Sequence, residues 1–94
     1  MATMMVKHRV ADFGKWKQVF DGMTGARKEH GWTGHTVLRG ADDPNVVVVV
    51  NRVKSLDDAK RYGGSDTLRK GMMEAGVQGP PDIWFLEQVE DKTY

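Results

Sequence analysis

The stretch Val46-Val47-Val48-Val49-Val50-Asn51-Arg52-Val53 decides the fold. Five consecutive valines followed by two polar residues and another valine predict a β-strand, because β-branched side chains suit a pleated, packed surface. Successive side chains on a strand point to opposite faces, so Val46, Val48 and Val50 share one side and Val47 and Val49 the other. Both faces are therefore apolar, whereas helices packed on one side of a sheet cover only that side. Each valine left wet forgoes about 1.5 kcal/mol or more, and a large exposed apolar patch is uncommon on a monomer. The uncovered face is expected to meet an identical sheet across a two-fold axis, the commonest closed assembly.

Working outward, Gly40-Ala41-Asp42-Asp43-Pro44-Asn45 carries turn residues that reverse the chain, and Trp32 to Arg39 before them predicts the other arm of a hairpin. Met4 to Val10 alternates valines with Lys7 and Arg9 and predicts the first strand. Asp12 can cap a helix in which Phe13, Trp16, Phe20, Met23 and Arg27 recur at spacings of three and four, ending near Gly31. Gly22 and Gly25 lie inside that span and weaken it.

Downstream, Ser55 followed by Asp58 at the third residue is a capping-box variant that opens a second helix through Leu56, Ala59 and Tyr62. Gly63-Gly64 interrupts it, Ser65 can cap a continuation bearing Leu68, Met72 and Ala75, and Gly76 supplies the stop. Ile83 to Val89 predicts the last strand, with Ile83, Phe85 and Val89 opposite Trp84 and Leu86, and Asp91 to Tyr94 a frayed tail. The order is βαββαβ. It defines an α+β, ferredoxin-like fold with an antiparallel sheet, as one domain over residues 1–94.

Composition narrows the partners. Fourteen Lys and Arg against thirteen Asp and Glu leave a charge of +1 on 94 residues, without the clustered basic excess that phosphate backbones or acidic membranes require. An RNA-binding sheet of this topology needs exposed aromatics on a basic strand, where this chain has valines. No cysteine is present, which excludes disulfides, thiolate metal sites and cysteine nucleophiles and fits a cytoplasmic location. The run Met1 to Val6 is too short for a signal peptide, and Val46 to Val50 is far short of a membrane span.

Candidate chemistry centres on His8, which has the strand parity of Val6 and Val10 and is expected to point into a covered space. A buried imidazole can act as general base towards a phenol or an acidic carbon; the alternative is a hydrogen-bonded structural histidine. His35, alternating with Val37, carries the same two readings, and His30 is a favourable charge at a helix end. Histidines 8, 30 and 35 lack the paired spacing of a metal site, so none is expected. Trp16 and Trp84 are candidate walls for a flat substrate or plain core residues; Tyr62, beside Gly63-Gly64, is a candidate hydrogen-bond donor. Asn51 shares the parity of Val47 and Val49, so its amide either holds a substrate carbonyl or bonds to backbone. Met4, Met5, Met23, Met72 and Met73 are gap fillers between sheet and helices. Lys15, Lys17, Arg27 and Lys28, offset by Asp12, Asp21 and Glu29, read as a solvated face.

Val6 to Lys17, the turn Ala41 to Asn45 leading into the valines, and Ser65 to Met72 followed by Ala75-Gly76-Val77 resemble small proteins of the antibiotic biosynthesis monooxygenase-like group, of the dimeric α/β-barrel superfamily. Gly63-Gly64 departs from the family pattern and predicts a broken helix beside the cavity. The resemblance implies a homodimer whose sheets face each other as a barrel, with a ligand cavity between each sheet and its own helices. It also implies cofactor-independent oxygenase or cyclase chemistry on an aromatic or polyketide-like metabolite, in which the substrate anion supplies the electrons and no cofactor is required. The alternative is a non-catalytic ligand-binding or structural homodimer, or a haem-handling protein. A cavity of about 300 Å³ or more holding His8 or Tyr62 favours an enzyme or sensor, and a filled interior a structural module.

Overall fold

The computed structural model describes residues 2–94. Strands β1 (Ala2–Val10), β2 (Trp32–Arg39), β3 (Val46–Val53) and β4 (Val77–Glu87) form one antiparallel sheet in the order β2-β3-β1-β4. Helices α1 (Phe13–Gly22) and α2 (Thr24–Glu29) connect β1 to β2, and α3 (Leu56–Gly63) and α4 (Asp66–Glu74) connect β3 to β4. The ferredoxin-like α+β fold expected from the sequence is the fold observed. No helix among the described residues is long and apolar enough to cross a membrane.

The valine run sits where its alternation requires. Val47, Val49, Asn51 and Val53 are buried under the helices, as are Met4, Val6, His8 and Val10 on neighbouring β1. Two apolar clusters fill this layer, one around Met4, Trp32, Val53 and Tyr62, the other around Val10, Trp16, Val47 and Ala75. On the opposite face Val50 pairs with Met5 and Thr36, Val48 with Lys7 and Leu38, and Met5 with Trp84. Leu38 is 50% exposed, Trp84 41% and Leu86 40%. A single chain leaves that face wet.

Four boundaries differ from the sequence reading, the first being the start of β1 at Ala2 rather than Met4. The helix expected from Asp12 to Gly31 is two helices broken at Met23. Gly22 lowers helix propensity there, and the Thr24 hydroxyl donates to the Asp21 carbonyl at 2.7 Å, offering that carbonyl a partner outside the helical ladder. The last strand begins at Val77 rather than Ile83 and ends at Glu87, leaving Val89 outside the sheet. It accommodates Pro80 and Pro81 because β4 is an edge strand whose register against β1 shifts between Lys7 and Arg9, with Gly79 at φ +73°. Among the methionines, Met73 is exposed and Met5 lies on the outer face, so neither fills the core.

The break at Gly63-Gly64 is built by Ser65. Its hydroxyl donates to the Tyr62 carbonyl at 2.7 Å and accepts from the Leu68 amide at 3.2 Å, closing α3 and opening α4 with one side chain. Ser55 accepts from the Asp58 amide at 3.1 Å, but the Asp58 carboxylate pairs with Arg61, so the reciprocal half of the capping box is not made. Ser65→Ala is expected to lower unfolding free energy by about 1 kcal/mol in urea titration, with Ser65→Asp recovering most of the loss.

Candidate functional site

Between the covered face of the sheet and the helices lies a cavity of about 50 Å³. Four of the side chains singled out from sequence line it: His8, Trp16, Asn51 and Tyr62. His8 arrives from the central strand β1 by the parity it shares with Val6 and Val10. Its ring lies 5.5 Å from that of Trp16 at 52°, and no group among the described residues hydrogen-bonds either ring nitrogen. Burial pushes its pKa below the ordinary 6.5, because the imidazolium loses hydration that nothing replaces. The ring is thus held neutral, with a free acceptor nitrogen.

Asn51 enters from β3 opposite Met4, whose carbonyl accepts from Asn51 Nδ2 at 3.0 Å. His8 stands opposite Val47, four positions further along the strand, about 13 Å at ordinary strand rise. The two polar groups therefore bracket the cavity rather than converge on one atom. Tyr62, from α3, lies at the Asn51 end with its ring 4.9 Å from those of Trp32 and His30. Desolvation raises its pKa, and the nearby charge of Arg27 opposes that rise. Trp32 Nε1 is buried and has no protein acceptor among the described residues. Trp16 stacks on Phe20 at 4.8 Å and 21°, and both rings line the cavity.

The two remaining candidates lie elsewhere. His35 is half-buried on β2 with its ring edge-on to Phe20 at 4.9 Å, outside the cavity lining; desolvation first, then the charges of Arg27, Lys17 and Arg52, depress its pKa. Trp84 occupies the outer face of the sheet and cannot wall this cavity. Among the described residues no group of three His, Cys, Asp or Glu side chains is placed to hold a metal ion.

Arg27 corrects the reading of α1 and α2 as a uniformly solvated basic face. It lines the cavity and is only 5% exposed, its guanidinium 3.8 Å above the Phe20 ring. The signal was present in the spacing, since Arg27 continues the stripe of Trp16, Phe20 and Met23. A cation on an apolar stripe is a buried cation unless its stem reaches solvent.

The sequence matches no protein-family model and no curated protein sequence. Solved structures share the fold over almost the whole chain. A provisionally named antibiotic biosynthesis monooxygenase from Caulobacter crescentus is 22% identical, with 95% of this chain and 90% of that one covered at a TM-score of 0.73. SnoaB, a cofactor-independent oxygenase from Streptomyces nogalater, is 17% identical over 97% of each chain at 0.72. A provisionally named antibiotic biosynthesis monooxygenase from Bordetella bronchiseptica is 12% identical, covering 95% and 97% at 0.78. The chain has the fold of antibiotic biosynthesis monooxygenase-like proteins.

The depressed pKa of His8 links protonation to stability. Below pH 6.5 the unfolded chain takes up a proton at this residue that the folded chain refuses, so the contribution of the neutral ring is complete above 6.5 and declines as pH falls towards the folded value. Denaturant titrations from pH 7.5 to 5 are expected to show falling stability, and His8→Asn to flatten part of that slope. The depressed pKa of His35 accounts for a remainder that His8→Asn leaves in place.

Proposed function

We propose that this protein is a small-molecule enzyme that abstracts a proton from an aromatic or polyketide-like substrate, with His8 as the general base. The observation that carries this reading is a buried imidazole with neither nitrogen hydrogen-bonded among the described residues, on the wall of a cavity that aromatic rings also line. A structural histidine would spend its nitrogens on protein partners. The proton passes from a phenolic O–H or an acidic C–H to the free ring nitrogen, and the substrate retains the electron pair as a phenolate or enolate. In an oxygenase that anion reduces O₂ directly: a ring methylene becomes a carbonyl with one oxygen atom, and the other leaves as water. In a cyclase the same carbanion attacks a carbonyl within the substrate. The likeness to SnoaB, a cofactor-independent oxygenase, supports the first chemistry. Tyr62 and Asn51, at the far end, orient the substrate rather than assist proton transfer, and Trp16 stacks on it.

The volume of about 50 Å³ favours a second reading, a non-catalytic ligand-binding or structural module, since it is well below the roughly 300 Å³ of drug-sized ligand sites. The enzyme reading requires Met23 and Met72, which line the cavity, to swing aside on substrate entry.

The assembly that we propose is a homodimer through the outer sheet face, which buries Leu38, Val48, Trp84 and Leu86 against a second copy. Sedimentation velocity at micromolar concentration is expected to show a dimer, and Leu38→Arg combined with Val48→Glu a folded monomer; a wild-type monomer would refute the pairing. With a polycyclic phenol that the protein turns over, His8→Ala is expected to reduce kcat/KM by about tenfold or more. The wild-type profile should rise with pH through an apparent pKa below 6.5 and then level off. An unchanged rate in His8→Ala removes it from the mechanism.

A further inference from the structure

The polar side chains around the cavity offer donors in excess, and one of them is a cation without an anion. Arg27 makes one side-chain hydrogen bond among the described residues, to Thr24 Oγ1 at 3.3 Å, and has no carboxylate partner within ion-pair distance. Asp21, whose charge is felt at Arg27, is already held by Lys17 at 2.7 Å. Among the described residues no Asp or Glu lines the cavity. Trp32 Nε1 is a donor only, is buried and has no acceptor. A leucine or methionine at position 27 would complete the apolar stripe without burying an uncompensated charge, so a guanidinium here is poorly explained by packing.

We infer that the cavity binds an aromatic carboxylate, its anionic oxygens held by Arg27, with Trp32 Nε1 as a further donor to the same ligand. A planar guanidinium matches a carboxylate with two parallel hydrogen bonds, and that of Arg27 is held 3.8 Å over the Phe20 ring. The rings of Trp16 and Phe20 line the cavity and supply apolar surface for the aromatic part. The space of about 50 Å³ accepts little more than the carboxylate, and the ring takes the room released when the flexible side chains of Met23 and Met72 move. This inference rests on the reading of the cavity as a ligand site and names the chemical class that it selects: a substrate whose carboxylate is anchored at Arg27 and whose ionisable O–H or C–H faces His8.

The test is a titration of the full-length protein with benzoate and with benzamide, its uncharged near-isostere, at neutral pH in low-chloride buffer, followed by calorimetry and by amide chemical shifts. Benzoate is expected to bind tighter by about tenfold or more, the worth of hydrogen bonds to a charged group, and to shift resonances around Arg27 and Trp32. Arg27→Met should erase the preference, while Arg27→Lys keeps the charge and part of it. Equal affinity for the two compounds, no binding of either, or a preference that survives in Arg27→Met would overturn the proposal. Should Arg27→Met fail to fold, the wild-type ratio decides alone. Turnover is not measured in this experiment, so a protein inactive on every phenol that still prefers benzoate keeps the anion site and loses only the catalytic reading.

Discussion

The alternation of β3 is the constraint on which the rest of the structure depends. With both faces of the strand apolar, hydrophobicity alone does not set its register; what discriminates is the pair Asn51 and Arg52. The observed register puts the amide inward, where the Met4 carbonyl accepts its hydrogen bond, and the guanidinium outward, where it reaches Thr36 Oγ1 at 3.2 Å and the His35 carbonyl. A slip of one residue would exchange them, burying Arg52 beneath the helices and turning Asn51 to the outer face. It would also detach His8 from the face that it shares with Asn51. Both the site and the outer surface thus follow from one pairing.

Much of the fold was legible because its signals are local. The caps at Asp12, Ser55 and Ser65 and the stop at Gly76 are encoded by the residues that make them, and strand parity placed His8 and Asn51 on the covered face without any knowledge of their neighbours. The break at Met23 was less visible, since it depends on a threonine hydroxyl turning back on the preceding carbonyl, a choice that helix periodicity does not record. The start of β4 was hidden by Pro80 and Pro81, which read as an end to regular structure unless the strand is known to lie at an edge.

The site was half legible for a related reason. Parity on a central strand is a two-way choice, so His8 and Asn51 could be placed. For side chains outside such strands the depth at which they end depends on the neighbouring elements. The charge of Arg27 points to solvent and its spacing to the stripe; spacing prevails because Phe20 lies beneath it and α2 packs against β2. Trp84 was assigned by its size to a pocket, and its parity opposite Met5 sent it outward. In both cases position on the element outweighed the character of the side chain.

Two buried side chains with unsatisfied nitrogens and an unpaired guanidinium around one small space are costly to maintain in a domain of this length. A structural module would give up only the ring contact of His8 with Trp16 and the contacts of Arg27 with Phe20 and Thr24 on replacing them with valine and leucine, residues that fit the apolar patterns at both positions. The cost is explicable when the same groups gain a partner in another state of the protein. The methionines at the helical wall provide the means of reaching it, because an unbranched thioether chain changes rotamer without forcing the backbone to move. In the reading proposed above, small volume and polar excess are connected: Met23 and Met72 move aside, and the unengaged donors meet an incoming acceptor.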